Sequence, residues 1–268
     1  MFTFIKFGGS VITDKSGREA ADLPLIRRLA AELAAARAAD PTLPLVVSHG
    51  SGSFGHHYAA HYGVHRGIAP GGDYYGFAVT AAAALRLNRI VVDELLAAGI
   101  PAFSLQPSAS LRSAGGAVET WQTAPISAAL ERGLVPVIHG DVSLDRLQGS
   151  AIISTEKLLA FLALHSDLRP RRIILVGEQA VFDRDPHVFP DAVRIPLIDG
   201  TMIETVLPAA AGSHAVDVTG GMHSKLQLMW RLIEAVPGLQ VQLIGPDEGL
   251  LRAALADLPP ASGTLMRH

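Results

Sequence analysis

The sequence predicts an α/β fold: a three-layer αβα sandwich built on a largely parallel central sheet. Three observations point to it. Short apolar runs of strand length alternate with helical stretches almost throughout the 268 residues, the pattern of a parallel sheet covered on both faces. Strand-like runs end at glycines after residues 7, 48 and 138, and Gly220-Gly221 opens a helix; ligands of such sheets bind beyond the carboxyl ends of the strands. The chain is 49% apolar and 18% charged, with no internal repeat or low-complexity linker. It therefore reads as a single domain, 1–268, whose N-terminal half (1–166) and C-terminal half (167–268) share one sheet.

Phe2 to Phe7 is a short β run followed at once by Gly8-Gly9-Ser10. Lys6 at its end and Lys15 in the loop can flank one glycine turn with two ammonium groups, which suits a polyphosphate; a hairpin with solvated lysines is the alternative. Leu23 to Ala38 has helical spacing, with Asp22 as N-cap and Pro24 in the first turn. Leu43 to Val47 is a buried strand, and His49-Gly50-Ser51-Gly52-Ser53-Phe54-Gly55-His56 links it to a helix. A strand that ends in glycines and turns into a helix N-terminus presents backbone N–H groups and a positive dipole end, an arrangement that favours phosphate. The spacing Gly50-x-Gly52-x-x-Gly55 also fits a dinucleotide fingerprint. That reading fails because Gly63 to Tyr75 is a polar loop where a second strand is required, which strands Asp73 in the wrong context. No P-loop pattern occurs. His57, His61 and His65 follow at i, i+4, i+8, but Gly63 interrupts them and no carboxylate completes a metal set, so they read as solvated or phosphate-side histidines.

Gly76 to Ala98 is a helix apolar on nearly every side, so it is buried or lines a hydrophobic cavity. Phe77, Thr80, Ala81 and Ala84 share one face, as a pocket wall or as a close helix–helix contact. Ile100 to Leu105 is a strand, Ala124 to Arg132 a helix, and Leu134 to Ile138 a strand ending in His139-Gly140-Asp141. Val142 to Ile153 is a hairpin turning at Asp145 to Gly149, and Ser154-Thr155-Glu156 caps a helix reaching His165. Arg172 to Val176 is a strand, Val181 to Pro186 a turn containing Asp183, and Ile203 to Ala211 a helix. Asp217-Val218-Thr219-Gly220-Gly221 leads into a helix from Met222 to Val236 with Lys225 in its first turn. Leu239 to Ile244 and Thr264 to Met266 close the chain as strands, with a short helix from Gly249 to Ala256 between them.

A net charge of −3 gives no reason to expect nucleic acid as partner. The absence of cysteine excludes disulfides and thiolate metal sites, and no leader pattern opens the chain; a cytoplasmic protein is expected. Apolar runs are broken within about a dozen residues, too short to cross a bilayer.

Four segments together resemble the amino acid kinase superfamily and, within it, the isopentenyl phosphate kinase family: Ile5 to Lys15, His49 to His56, Gly140-Asp141, and Asp217 to Met222. The Ser-Phe-Gly-His ending at His56 is the most specific feature. The resemblance implies ATP-dependent phosphorylation of isopentenyl phosphate to isopentenyl diphosphate on an alternative mevalonate route to isoprenoids, with Mg²⁺ and a homodimer. It assigns the ATP phosphates to Gly8, Gly9 and Ser10, with Lys6 and Lys15 neutralising the transferring group. It adds Lys225, Gly221 and Asp183 on the nucleotide side. The acceptor phosphate falls to the amides of Gly50, Ser51 and Gly52, with Gly55, Gly140 and Asp141 beside it and His56 hydrogen-bonded to it. An acceptor phosphate is already ionised near neutral pH, so a histidine donor rather than a carboxylate base is chemically sufficient. Phe77, Thr80, Ala81 and Ala84 would wall the prenyl tail, and their small size is expected to admit tails longer than five carbons.

Three departures accompany the likeness. The family's His-Gly-Gly-Gly is here His49-Gly50-Ser51-Gly52. Its lysine-orienting carboxylate lies in a Ser-Gly-Asp or Asn-Ala-Asp turn; here that turn reads Ser154-Thr155-Glu156-Lys157, which makes Glu156 the candidate. Its nucleotide segment is replaced by Val176-Gly177-Glu178-Gln179-Ala180. A fosfomycin-type phosphonate kinase, a non-catalytic nucleotide sensor and an amino-acid or carbamate kinase remain as alternatives on the same scaffold.

Overall fold

A computed structural model of the chain describes residues 2–14, 17–177, 180–186, 188–210 and 221–268. The N-terminal half runs β1 (Phe2–Phe7), the single turn α1 (Gly9–Ile12), α2 (Leu23–Ala39), β2 (Leu45–His49), α3 (Gly52–His61), α4 (Tyr75–Ala97), β3 (Ala102–Ser104), β4 (Leu111–Ala114), β5 (Ala117–Trp121), α5 (Ala124–Glu131), β6 (Val135–His139), β7 (Asp141–Asp145), β8 (Gly149–Ile153) and α6 (Thr155–His165). The remainder runs β9 (Pro170–Val176), β10 (Leu197–Ile198), α7 (Ile203–Ala210), α8 (Gly221–Ala235), β11 (Gln240–Ile244), α9 (Leu250–Leu255) and β12 (Thr264–Met266).

The expected three-layer sandwich is present. Its eight-stranded sheet has the order β10-β12-β11-β9-β1-β2-β6-β3 and is mostly parallel, with β12 antiparallel to β11. Alternation along the strands supplies both layers. Phe4, Val46, Ile138 and Ile173 face one side, with Leu158, Leu162, Met229 and Ile233 of α6 and α8. Ile5, Val47, Val137 and Ile174 face the other, with Leu29, Leu87, Val91 and Leu251 of α2, α4 and α9. Each of these large side chains, once buried, contributes about 1.5–3 kcal/mol. The caps read from sequence hold: Asp22 Oδ1 accepts from the Leu25 amide at 3.0 Å, and the Ser154 hydroxyl from the Lys157 amide at 3.4 Å.

Two expectations need correction. The hairpin of β7 and β8 forms as expected but does not join the main sheet; it belongs to a second, four-stranded sheet of order β5-β4-β7-β8. The β4–β5 hairpin, between the strand and the helix assigned at 100–105 and 124–132, supplies the other half, turning at Gly115 and Gly116 with φ of +58° and +74°. Asp145 ties the sheet together, accepting from the Gly115 and Gly116 amides at 2.9 and 2.8 Å and from the Ser113 hydroxyl at 2.8 Å. Secondly, the 23-residue α4 is long and apolar enough, by those criteria alone, to span a bilayer. It carries Arg86, Arg89, Asp93 and Glu94 and buries Leu87, Val91 and Leu95 in the core, so it is an interior helix of the sandwich.

Candidate active site

Two glycine corners meet at the carboxyl edge of the sheet. β1 and β2 lie side by side, Lys6 opposite Ser48 and Phe7 opposite His49, so the turns that leave them are adjacent. A Cβ on Gly50 would come within 2.8 Å of the Gly9 nitrogen, and one on Gly52 within 2.5 Å of the Gly9 carbonyl oxygen. The two backbones touch, and only glycine allows it; Gly52 also takes φ of +47°. Thr13 stitches the joint, its hydroxyl donating to the Gly9 carbonyl at 2.7 Å and accepting from the Ser53 amide at 3.0 Å.

Not every glycine keeps its expected donor. The Gly8 amide donates to the Val176 carbonyl at 2.7 Å and the Gly50 amide to the Phe7 carbonyl at 3.0 Å, so both are spent on holding the strand ends. The Gly50 amide, expected to hold the acceptor phosphate, is thus engaged by the neighbouring strand. Gly9 and Ser10 stand at one corner and Ser51 and Gly52 at the other.

Glu156 opens α6 and is buried, and its carboxylate pairs with the Lys6 ammonium. Burial alone would raise its pKa, but the charges of Lys6 and then Lys225 overcome it and hold the carboxyl at about 2. The sequence-predicted lysine organiser thus faces one lysine from β1 and another from α8. Gly221 opens α8 at φ of +64°. Lys15 and the segment Asp217-Val218-Thr219-Gly220 lie outside the described residues.

His56 stands on α3 and lines a pocket with Ser51, Gly55, Gly140 and Asp141, walled on the apolar side by Thr80 and Ala84 of α4 and by Ala59, Val142 and Ile152. The pocket and the lysine pair are linked through the next strand end. The Gly140 amide donates to the His49 carbonyl at 3.0 Å, and the Thr155 hydroxyl, one residue before Glu156, donates to the same carbonyl at 2.8 Å. Two wall residues expected from helical spacing, Phe77 and Ala81, are not among the pocket's lining; Phe77 packs on Tyr74, ring centroids 5.8 Å apart. Asp141 lines the pocket, yet its carboxylate accepts from the Val142 and Ser108 amides at 2.8 and 3.1 Å, which makes it a holder of backbone. Asp183 does similar work in its own loop, accepting from the Val193 amide at 2.8 Å.

Sequence reasoning passed over His49 and His139, which pair in register at the ends of β2 and β6 with stacked rings 5.6 Å apart. Each turns Nδ1 to the carbonyl of the glycine that follows, at 2.9 Å for Gly50 and 3.1 Å for Gly140. Burial and then the neighbouring His139 lower the His49 pKa to about 4. The signal was available: two identical His-Gly strand endings. His57 and His61 do stack, 6.4 Å between centroids, while His65 turns to the Ala59 carbonyl at 3.0 Å. Among the described residues no group of three His, Cys, Asp or Glu could hold a metal ion.

Residues 1–243 match the model of the amino acid kinase family. The chain is 38% identical over 249 residues to the isopentenyl phosphate kinase of Methanothermobacter thermautotrophicus, an alignment covering 90% of this chain and 89% of that one. It is 35% identical over 271 aligned positions to the isopentenyl phosphate kinase of Haloferax volcanii, covering 98% and 97%. Among solved structures, it resembles a crystallised isopentenyl phosphate kinase with a TM-score of 0.81 and 33% identity, over 99% of this chain and 100% of that one. The product complex of the Thermoplasma acidophilum enzyme of the same name follows at 0.78 and 26%, covering all of both chains.

Proposed function

The chain belongs to the amino acid kinase family, and from that membership and the cleft between its two glycine corners we infer its reaction. It is an isopentenyl phosphate kinase, transferring the γ-phosphoryl group of ATP to isopentenyl phosphate to give isopentenyl diphosphate and ADP. The observation that carries this reading is the contact of Gly9 with Gly50 and Gly52. It sets a lysine-bearing strand end and a histidine-bearing helix on either side of one joint.

The chemistry asks for little beyond position and charge. A terminal oxygen of the acceptor phosphate attacks the γ-phosphorus in line, and the bond to the β,γ-bridging oxygen breaks. The acceptor monoester, with a second pKa near 6, is already anionic and needs no base to remove a proton. In our reading Lys6, aimed by Glu156, and Lys225 balance charge on the transferring group, with Lys15 as a third cation. The amides of Gly9 and Ser10 serve the ATP phosphates, those of Ser51 and Gly52 the acceptor phosphate, and His56 donates to the acceptor from the pocket side. Mg²⁺ is inferred from the chemistry of ATP, with which it would bind and supply further charge neutralisation.

The wall of Thr80 and Ala84 supports an apolar tail, and their small size admits acceptors longer than isopentenyl phosphate, geranyl phosphate among them. We further propose a homodimer through the sheet edge at β3, where Phe103 and, on the adjoining end of α4, Leu96 are exposed; sedimentation at micromolar concentration tests it. A cytoplasmic location accords with the absence of cysteine, and cell fractionation tests it.

A coupled ADP-release assay across isopentenyl phosphate, geranyl phosphate, fosfomycin and amino acids decides the acceptor. Turnover with isopentenyl phosphate and a diphosphate product by ³¹P NMR are expected. ADP release with fosfomycin or an amino acid but not with a prenyl phosphate would overturn the reading.

A further inference from the structure

Thr13 and Asp14, which follow the donor-side corner, and residues 17–21 together brace both helices of the acceptor pocket. They are joined by the Thr13–Ala21 bridge and by the Asp14 amide donating to the Ala20 carbonyl at 2.8 Å. From one end, Thr13 holds the first turn of α3 through the Ser53 amide. From the other, the Glu19 carboxylate accepts from the Tyr58 hydroxyl of α3 at 2.6 Å and from Arg86 Nε of α4 at 2.7 Å. Arg18 completes the clasp, donating to the same Tyr58 oxygen at 2.8 Å with its guanidinium 4.9 Å from the ring centroid. Glu19 does this from a left-handed backbone, φ of +53°, which a residue with a Cβ adopts only when its surroundings hold it there.

We propose that Glu19 is a positioning residue for phosphoryl transfer: by joining Tyr58 of α3 to Arg86 of α4 it fixes the rotation of α3 that aims His56 into the pocket between them. Tyr58 follows His56 by two positions, about 200° round the helix axis, so any roll of α3 that releases Tyr58 also swings His56. The Arg86 end lies two residues beyond Ala84 of the pocket wall, so the same carboxylate also sets the spacing of the helices that bound the acceptor. Stability is a poor explanation of the clasp, because the Arg86 and Glu19 side chains are 48% and 22% exposed and such pairs add little. Arg86, as the strongest influence, keeps the Glu19 carboxyl below its ordinary range, so the clasp stays ionised across the working pH. The inference rests on the acceptor site as read above.

The test compares Glu19→Ala, Glu19→Gln, Tyr58→Phe and the double variant Glu19→Ala/Tyr58→Phe with the parent, in kcat, in KM for isopentenyl phosphate and ATP, and in Tm. Misplacement of a reacting group well short of 1 Å predicts a fall in kcat of roughly 5- to 20-fold for Glu19→Ala and Tyr58→Phe. The KM for ATP should hold within about twofold and Tm within a few degrees. The double variant should lose no more than the worse single one, because the two residues act through one contact. Glu19→Gln, which keeps an acceptor for Tyr58, should recover part of the loss and guards against a misfolded alanine variant. An active parent whose variants keep kcat within twofold, or whose losses multiply in the double variant, overturns this inference alone. A parent inactive on isopentenyl phosphate overturns the acceptor reading and this inference with it.

Discussion

Lys6 and Glu156, 150 residues apart in sequence, meet in one ion pair at the carboxyl edge of the sheet, and the charge of Lys225 acts on the same carboxylate. Glu156→Gln keeps the shape and removes the charge that holds two ammonium groups in place. Its kcat should fall by about 10- to 100-fold, on the scale of losing preorganised electrostatics, in steady-state assays at pH 7.5.

The same carboxylate sets an acid limit on the fold. Its folded pKa of about 2 lies below its ordinary 4.5, so the folded chain binds fewer protons than the unfolded one between those values. The stabilisation is complete above pH 4.5 and is lost as pH falls towards 2. Tm measured from pH 5 down to pH 2.5 should therefore fall more steeply in the parent than in Glu156→Gln.

His49 behaves in the same sense through a different proton. Its folded pKa, lowered to about 4 by burial and by His139, leaves the ring neutral where an unfolded histidine, with a pKa near 6.5, takes up a proton. Stability should rise from pH 4 to about 6.5 and then level. Ring ¹⁵N shifts at pH 5 should report a neutral His49 imidazole, while a protonated ring there would contradict the buried geometry.

Removing the pocket donor tests the acceptor side. His56→Ala should lower kcat by about 10²-fold or more, the usual cost of losing a donor to a developing charge. Turnover near the parent's would remove His56 from the machinery.

A methyl group distinguishes contact from mere turn-making. Gly9→Ala drives a Cβ into the Gly52 backbone; overpacking of this kind costs about 1–3 kcal/mol, and it should also separate the two corners and abolish measurable turnover. Gly200→Ala, where a Cβ meets nothing within 4 Å and φ is not positive, should stay within about 0.5 kcal/mol of the parent. Urea unfolding and the ADP-release assay measure both.

Much of this was legible in the residues. Strand ends at glycine, the Ser154 cap and the alternating apolar runs reflect local rules, so the main sheet and the helix start that carries Glu156 followed from them. The choice of Glu156 as partner of the lysines came from the family resemblance. The β4–β5 hairpin escaped because its strands are only four and five residues long and β5 is largely exposed, too short for an alternating apolar pattern to stand out. The Gly50 amide was misread because a glycine at a strand end does not disclose whether its N–H turns to a ligand or to the neighbouring strand. Phe77 and Ala81 share a helical stripe with Thr80 and Ala84, but the pocket is narrower than the stripe. The Glu19 clasp joins Tyr58 and Arg86 from three separate segments, and no spacing rule reaches across them.

The central position of β1 has a consequence for synthesis. Its flank pairs Phe2 with Pro170 and Phe7 with Val176, so β1 emerges from the ribosome well before β9, the strand that covers its hydrogen-bonding edge. Until then the nascent chain carries a bare apolar edge able to template wrong partners, and long-range closure of this kind is slow. A fragment ending near residue 166 would keep every residue that lines the pocket beside His56 and yet have no finished sheet to hold it, so chaperone demand should peak just before β9 emerges.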